Sequence, residues 1–251
     1  MSFYAYVLRR LLDEGKITTS SRTLAVCAGP VDADALHEAG FTDVTISNLD
    51  GRVDWDLQGY KWERGDTEAL HYADGSFDFV VVHAGLHHCA YPARALGEMY
   101  RVTKQGALVL EARDSLLIRA AAKLGLTEEY ERSAVAFHNY KFGGLRNLPV
   151  PNYIYRWTER EVRKTIESAF PDIQNEYRFF YGLRLPEPRT AGKRTIVKSL
   201  GLVAKVFRLV LPKQCNQFAF FVSRNGQKAW MDGAVMRRDP SLYTNPSAVT
   251  E

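Results

Sequence analysis

The sequence predicts an α/β fold built on a mainly parallel sheet of seven strands with helices around it. Short apolar or β-branched runs alternate with helical patterns, which is the ordering that builds βαβ units. The chain has 251 residues, of which 46% are hydrophobic and 25% charged, as is usual for globular proteins. This length suits one domain of ordinary size.

The first element is a helix near residues 3–14, and strands then alternate with helices. Pro92 suits the first position of a helix that ends near Val102, because that position needs no N–H donor. The sequence TERE, Thr158 to Glu161, is a capping box that begins another helix. Strands are expected near 22–28, 43–48, 60–64, 77–82, 106–112, 173–181 and 217–223.

Residues 1–225 are predicted to form one domain, followed by a tail at 226–251 in which the hydrophobic pattern fades. A segment near 126–156, rich in aromatic residues, Gly and Pro, is too long for a plain connection and is expected to cover a substrate site. The first residues lack the apolar centre of a secretory signal, and no run of 18 apolar residues occurs, so a cytoplasmic location is expected. The three cysteines are odd in number and far apart, which predicts reduced thiols.

The stretch LAVCAGPVDADALHEAG has the outline of a nucleotide-binding strand, turn and helix. Gly29 would let a ligand approach the backbone, and the helix after it would present an amide-rich N terminus to that ligand. Cys27 is expected to be a core residue of the strand. Val31 and Ala33 stand where a dinucleotide-binding loop has further glycines, so binding of NAD is disfavoured.

Asp50 follows the second strand, 21 residues after Gly29. At this spacing a carboxylate can accept hydrogen bonds from both hydroxyls of a ribose. Taken alone, Asp50 is also an ordinary turn residue before Gly51, and Asp66 could merely cap a helix. Their joint placement favours a role in cofactor binding.

The most specific motif is GDTEALHYADGSFDFVVVHAGLHHCAYPARALGEMYRVTKQGALVLE. Together with the preceding strands from about Leu24, it resembles the class I S-adenosylmethionine-dependent methyltransferases, particularly the small-molecule branch called type 11. The resemblance implies a Rossmann-like seven-stranded sheet of order 3-2-1-4-5-7-6 with the last strand antiparallel. It also implies S-adenosylmethionine as cofactor, Asp50 on the ribose and Asp66 on the adenine amino group, with Thr67 beside it. The loop residues Ala28, Gly29 and Pro30 and the strand-end residue His83 complete the predicted cofactor site.

The glycine loop departs from the family pattern, which usually has an acid two residues before the first of two or three glycines. Here the loop reads Cys27, Ala28, Gly29, Pro30, Val31, Asp32 and Ala33. A β-branched residue such as Val31 cannot easily adopt positive φ, so the turn is expected to follow a different path. Asp32 or Asp34 is a candidate for the missing carboxylate's contact with the methionine amino group.

The sequence HAGLHH supplies the candidate catalytic residues His88 and His83, with His87 between them. A histidine of near-neutral pKa could accept a proton from a hydroxyl acceptor, but each of these side chains could equally brace the fold. His138, in the aromatic cover segment, is a second candidate base. A metal site on His83, His87, His88 and Cys89 is disfavoured, and no metal is predicted, because no distant Cys or acid pair in the sequence completes a cage.

A basic segment near 190–213 forms an amphipathic helical pattern. Arg194, Lys198, Lys205 and Arg208 share one stripe of it. The helix could simply pack its apolar face on the domain, or its basic face could contact an anionic membrane or an acidic acceptor.

The predicted function is S-adenosylmethionine-dependent methyl transfer, with O-methylation of a small molecule, sugar or lipid-linked acceptor such as a glycolipid preferred. The alternative is a non-catalytic protein of the same fold that serves as a binding module or scaffold. A nucleic-acid acceptor is disfavoured, because the net charge is only +4 and the sequence HAGL stands where amino-group methyltransferases usually have an Asn- or Asp-Pro-Pro-aromatic signature. The sequence gives no indication of oligomeric state.

Overall fold

A computed structural model describes residues 1–51, 54–184, 204 and 206–228 of the chain. All seven predicted strands are present, and most of their bounds differ from the predictions by a few residues. The strands are β1 (Thr23–Val26), β2 (Val44–Asn48), β3 (Lys61–Arg64), β4 (Phe77–His83), β5 (Thr103–Ala112), β6 (Ile173–Gly182) and β7 (Gln217–Gln227).

The strands form a single sheet of order β3-β2-β1-β4-β5-β7-β6. The first five strands are parallel to one another, and β7 is antiparallel to both β5 and β6. The predicted order and the antiparallel last strand are therefore confirmed. The strand order reverses between β1 and β4, and this reversal opens a crevice at the carboxyl ends of the strands, where ligands of such sheets usually bind.

The helices pack on both faces of the sheet. They are α1 (Phe3–Asp13), α2 (Pro30–Glu38), α3 (Pro92–Val102), α4 (Leu116–Lys123), α5 (Arg132–Phe137) and α6 (Glu159–Ala169). Helices α1 and α2 contribute to the core on one face, and α3 and α6 contribute to the core on the other. In α1 the buried residues Tyr4, Val7, Leu8 and Leu11 recur at helical spacing, so this helix buries one apolar stripe against the sheet.

The helix starts agree with the sequence signals. Pro92 is the first residue of α3, and Thr158 is the N-cap of α6. The Thr158 hydroxyl accepts the N–H of Glu161 at 3.3 Å, and the Glu161 carboxylate accepts the N–H of Thr158 at 2.8 Å. Both predicted signals are therefore confirmed. The capping box gives partners to N–H groups that a helix start leaves unpaired, and Pro92 has no N–H group that would need a partner.

Part of the predicted basic segment falls outside the described residues, including Arg194, Lys198 and Lys205. Residues 206–210 are helical and contain Arg208. The predicted tail at 226–251 is described only to residue 228. Within the described parts of the chain, no helix combines the length and apolar character needed to cross a membrane.

Candidate functional site

A cleft of about 610 Å³ opens at the carboxyl ends of β1, β2, β3 and β4. One wall, called here the strand-end wall, belongs to the loops at residues 27–31, 48–50, 65–68 and 84–89, in which all residues except 28–29 and 85–87 line the cleft. The other wall is formed by residues 134–147 of the predicted cover segment. Two parts of the chain that are distant in sequence therefore enclose one space.

The structure brings most of the predicted site residues together. Pro30, Asp50, Asp66, Thr67 and His88 line the cleft. Ala28, Gly29 and His83 do not line it. Ala28 is buried in the core, which explains why it offers no surface to the cleft. The cofactor-binding roles predicted for these residues stay predictions.

Gly29 differs from its expected role. Its φ is −152°, an extended conformation that any residue can adopt, and an added Cβ would lie 3.7 Å from the Trp55 ring. The Gly29 N–H already donates to the Asp32 carboxylate at 3.0 Å, and Pro30 has no N–H. The N-cap Gly29 and Pro30, the first residue of α2, therefore offer no free N–H group to a ligand, and the amide-rich N terminus stays a prediction for the residues after them.

The strained backbone of the strand-end wall lies at Cys27 and Ala84 instead. These residues follow β1 and β4, have φ of 50° and 51°, and both line the cleft. Positive φ in non-glycine residues is uncommon and is often found at functional sites. Cys27 is partly buried and packs against the core, as expected, but it also lines the cleft and so is not only a core residue.

Two loops of the strand-end wall touch at Gly85. A Cβ added at Gly85 would lie 2.5 Å from the Cys27 Cβ and 2.9 Å from a methyl group of Val82. The Cys27 thiol in turn lies 3.2 Å from the Thr67 hydroxyl. The loops after β1, β3 and β4 are thus packed against one another.

The two acids proposed to replace the missing loop carboxylate do not line the cleft. Asp34 is exposed and accepts a hydrogen bond from Gln58 at 2.8 Å. Asp32 caps its own helix, and one of its oxygens lies 3.7 Å from His83 Nδ1. Burial raises the pKa of Asp32 to about 7, against the lowering effect of its backbone hydrogen bond to Gly29. The positions of Asp32 and Asp34 therefore do not support the hypothesis that either carboxylate contacts the methionine amino group.

Asp50 is positioned by a turn that the sequence did not reveal. Its N–H donates to Asn48 Oδ1 at 3.0 Å, and Asn48 Nδ2 donates to the carbonyl of Ala28 at 2.9 Å. One side chain at the end of β2 therefore fixes the loop that carries Asp50 and the loop after β1.

Asp66 is held by the opposite wall of the cleft. Arg146 of the cover segment donates to the Asp66 carboxylate at 2.7 Å and to the Glu68 carboxylate at 2.9 Å. Glu68 is buried and also accepts the N–H groups of Ala90 and Tyr91 at the start of α3. Neither Arg146 nor Glu68 was predicted from the sequence. Glu68 lies two residues from Asp66, but nothing in the sequence indicated that Arg146 would reach this site.

The histidines after β4 form a charged cluster with two glutamates. His87 Nδ1 lies 2.6 Å from Glu111 at the end of β5, and Nε2 lies 3.3 Å from Glu131 of the cover segment. Burial lowers the pKa of His87, but the two carboxylates outweigh burial and raise it to about 10. His88 Nε2 lies 3.4 Å from Glu131, and the pKa of His88 is lowered by burial and by the charge of His87.

His83 lies away from the cleft. Its ring stacks on Tyr4 of α1 with centroids 4.8 Å apart, and burial lowers its pKa. His138, the second candidate base, does line the cleft, and its ring lies against Phe142 with the centroids 4.2 Å apart. Of the histidines weighed for catalysis, His88 and His138 are therefore the two that a ligand in the cleft can contact.

Comparison with known proteins identifies the type of domain. Residues 38–110 match a family model described as a methyltransferase domain. Demethylmenaquinone methyltransferase of Renibacterium salmoninarum is 48% identical over 48 residues, which are 19% of this chain and 20% of that protein. The mitochondrial 2-methoxy-6-polyprenyl-1,4-benzoquinol methylase of Oryza sativa subsp. japonica is 40% identical over 55 residues, or 20% and 19% of the two chains. The match thus spans about a fifth of these relatives' own length.

Solved structures match over most of the chain. The YcgJ protein from Bacillus subtilis has a TM-score of 0.54 at 14% identity, covering 89% of this chain and 99% of that one. Magnesium protoporphyrin IX methyltransferase from Synechocystis PCC 6803, determined with bound SAH, has a TM-score of 0.52 at 13% identity, covering 88% and 82%. At this level of identity the likeness shows the shared fold.

Proposed function

We propose that this chain, which has the class I methyltransferase fold and a methyltransferase domain at residues 38–110, transfers a methyl group from S-adenosylmethionine to a small-molecule acceptor. The observation that carries the proposal is the position of Asp50 and Asp66. They follow the neighbouring parallel strands β2 and β3 and line the same cleft. Two carboxylates at this edge of the sheet suit the hydroxyl and amino groups of an adenosyl ligand.

The residues of the cleft fit the cofactor. A volume of about 610 Å³ lies in the range of ligand pockets, about 300–1,000 Å³. Asp50 would hold the ribose and Asp66 the adenine amino group, with Thr67 beside it. Pro30, Val31 and Trp55 supply apolar wall in the same cleft. The bound cofactor supplies an electrophilic methyl group on a sulfonium centre.

The chain's own contribution is to orient the acceptor and to exclude water. The cover segment closes one side of the cleft, and a closed site can hold an acceptor in line with the methyl group. The lowered pKa of His88 keeps its imidazole neutral near pH 7. A neutral imidazole can accept a hydrogen bond or a proton from a hydroxyl acceptor, which supports O-methylation with His88 as the first candidate base and His138 as the second.

The acceptor class proposed here includes lipid-linked molecules. The names of the two relatives describe a menaquinone precursor and a polyprenyl benzoquinol as their substrates. In this chain Leu209 and Val210 are 83% and 66% exposed, and Arg208 directly precedes them. Exposed apolar side chains next to a cation suit the surface of an anionic membrane, so we extend the proposal to peripheral membrane contact.

The membrane contact is tested by co-sedimentation with lipid vesicles. The chain should pellet with vesicles containing anionic phospholipid and less with neutral ones, and Leu209→Ser with Arg208→Glu should release it. Equal pelleting of the wild type and the double variant would contradict this part of the proposal.

A non-catalytic scaffold is the second candidate. Its support is that Arg146 already engages the Asp66 carboxylate and that Trp55 stands against Gly29. In a scaffold these contacts would be permanent and would keep an adenosyl ligand out.

Calorimetric titration with S-adenosylmethionine and S-adenosylhomocysteine separates the two candidates. We expect binding in the micromolar range that Asp50→Ala weakens at least about tenfold, which corresponds to the loss of about 1.4 kcal/mol. Asp34→Ala is the matched control, because this exposed aspartate lies outside the cleft. Binding weaker than millimolar, or binding that Asp50→Ala leaves unchanged, would favour the scaffold.

A further inference from the structure

His87, His88 and Glu131 place three potential metal ligands together at the edge of the cleft. One ligand atom from each lies within 4.8 Å of the others. The histidines belong to the short turn Leu86–His88 after β4, and Glu131 directly precedes α5 in the cover segment. The cluster therefore joins the strand-end wall to the cover segment.

The hydrogen bonds of the two histidines fix where their protons lie. His87 Nδ1 is 2.6 Å from the Glu111 carboxylate, and His88 Nδ1 is 3.3 Å from the carbonyl oxygen of Gly144. Both partners are acceptors, so in the neutral form of each ring Nδ1 carries the proton and the lone pair is on Nε2. The two carboxylates raise the pKa of His87, so without another cation its Nε2 also carries a proton. Both Nε2 atoms face the Glu131 carboxylate. The cluster therefore needs a positive charge between these atoms, which either a second proton on His87 or a metal ion can supply.

The distance from each histidine Nε2 to the Glu131 carboxylate fits a tetrahedral metal ion. His87 Nε2 and His88 Nε2 lie 3.3 Å and 3.4 Å from the same oxygen, Glu131 Oε2. Charge-assisted hydrogen bonds are shorter, about 2.7–2.9 Å. Ligands about 2.0–2.1 Å from a tetrahedral zinc ion lie about 3.4 Å from one another.

Glu111 is placed like the carboxylate that commonly accepts a hydrogen bond from the other ring nitrogen of a metal-bound histidine. Its side chain is fully buried, and it accepts the N–H of Leu86 at 2.7 Å as well as His87 Nδ1–H. Such a carboxylate fixes the tautomer and orientation of the imidazole and increases its basicity toward the metal. Because Glu111 belongs to β5, the sheet itself positions it.

We propose that His87, His88 and Glu131 bind a divalent transition metal ion of the zinc type, with Glu111 as a positioning residue. Two histidines and one carboxylate form a ligand set of catalytic zinc sites, which keep a fourth position open. His88 lines the cleft, so the ion would lie at its wall. If the proposed methyl transfer also holds, the ion would lower the pKa of a hydroxyl acceptor bound to it. A metal-bound His88 could not also act as the base, so His138 would then be the candidate base.

The experiment is metal titration of the whole chain after treatment with a chelator, without any methyl donor or acceptor. Calorimetry with Zn²⁺ should give one site per chain, and Co²⁺ should give the visible absorption of a tetrahedral complex. Glu131→Gln and His88→Ala should each weaken Zn²⁺ binding by about 10–100-fold or more. His37→Ala removes an exposed histidine of α2 and should bind like the wild type. Melting curves of every variant show whether it is folded.

Three results would overturn the proposal. One is the absence of stoichiometric binding by the wild type, which would leave a proton on His87 as the cation of the cluster. Another is unchanged binding in Glu131→Gln, a variant with nearly the same shape. The third is a thiolate-to-cobalt absorption that disappears in Cys89→Ser, which would place the ion on the cysteines. Failure of the methyl-transfer proposal would change none of these metal measurements.

Discussion

The two walls of the cleft are built in different ways. In the strand-end wall, Thr67 and Glu68 are 3% and 4% exposed, and the loops are fixed by the sheet and by the contact between Cys27 and Gly85. In the cover segment Phe137 is 83% exposed, and Arg146 binds the opposite wall through ion pairs. Packing therefore fixes the position of the strand-end wall, whereas ion pairs hold much of the cover segment in place. We infer that ligand exchange moves the cover and leaves the strand-end wall in place.

The largest effect is expected from Gly85→Ala, which breaks the strand-end wall. The added Cβ would lie 2.5 Å from the Cys27 Cβ, so the loops after β1 and β4 must separate. Overpacking of this kind costs about 1–3 kcal/mol of stability, and the shifted loops should abolish cofactor binding. Thermal melting and calorimetry measure both effects.

Gly97→Ala is the matched control for this prediction. Gly97 lies inside α3, and an added Cβ would meet nothing within 4 Å among the described residues. It should leave binding unchanged and raise stability slightly, because Ala favours the helix. Equal behaviour of the two variants would show that the contact at Gly85 does not position the wall.

A smaller effect is expected from Asp32→Asn, which tests whether the Asp32 carboxyl group is buried next to the same wall. The folded chain holds the Asp32 proton up to a pKa of about 7, above the value of about 3.9 in an unfolded chain. Unfolding free energy should therefore fall as pH rises from about 4 to about 7 and change no further above that. Asn cannot ionise but can still accept the Gly29 N–H, so the variant should be more stable than wild type at pH 8, on the order of 1–3 kcal/mol, and equal near pH 4.

Denaturant unfolding across this pH range tests the Asp32 prediction. Asp34→Asn, two residues further along α2, serves as the control because it is exposed. A stability difference between Asp32→Asn and wild type that is independent of pH would contradict the burial of an ionisable carboxyl group at this position.

The smallest effect is expected from Arg146→Gln, which tests the cover. Removing the guanidinium leaves the Asp66 carboxylate without its competing partner, so S-adenosylhomocysteine should bind about 3–10-fold more tightly, or about 0.7–1.4 kcal/mol. Arg132→Gln changes an exposed arginine of α5 outside the cleft and should have no effect. Weaker binding by Arg146→Gln would mean that Arg146 supports the ligand and does not compete with it.

The fold was predictable because its signals are local. The apolar runs, Pro92 and the capping box at Thr158 each act within a few residues, and the strand order followed from the family resemblance. The loop after β1 was not predictable, because its positive φ lies on Cys27, where no glycine indicates it.

The cover contacts were not predictable for a different reason. Glu131 and Arg146 reach His88 and Asp66 across 43 and 80 positions of the sequence. Their pairing depends on how an irregular segment closes over the sheet, for which the sequence contains no periodic pattern. For the same reason a metal site was disfavoured from the sequence, since the acid near the histidines comes from that segment.

The most direct test of the central claim, that carboxylates at the ends of β2 and β3 seat the cofactor, is a crystal structure with S-adenosylhomocysteine. We expect the ribose hydroxyls on Asp50, the adenine amino group on Asp66, and Arg146 displaced from that carboxylate. A cleft that stays empty at saturating ligand, or a ligand bound away from both aspartates, would contradict the claim.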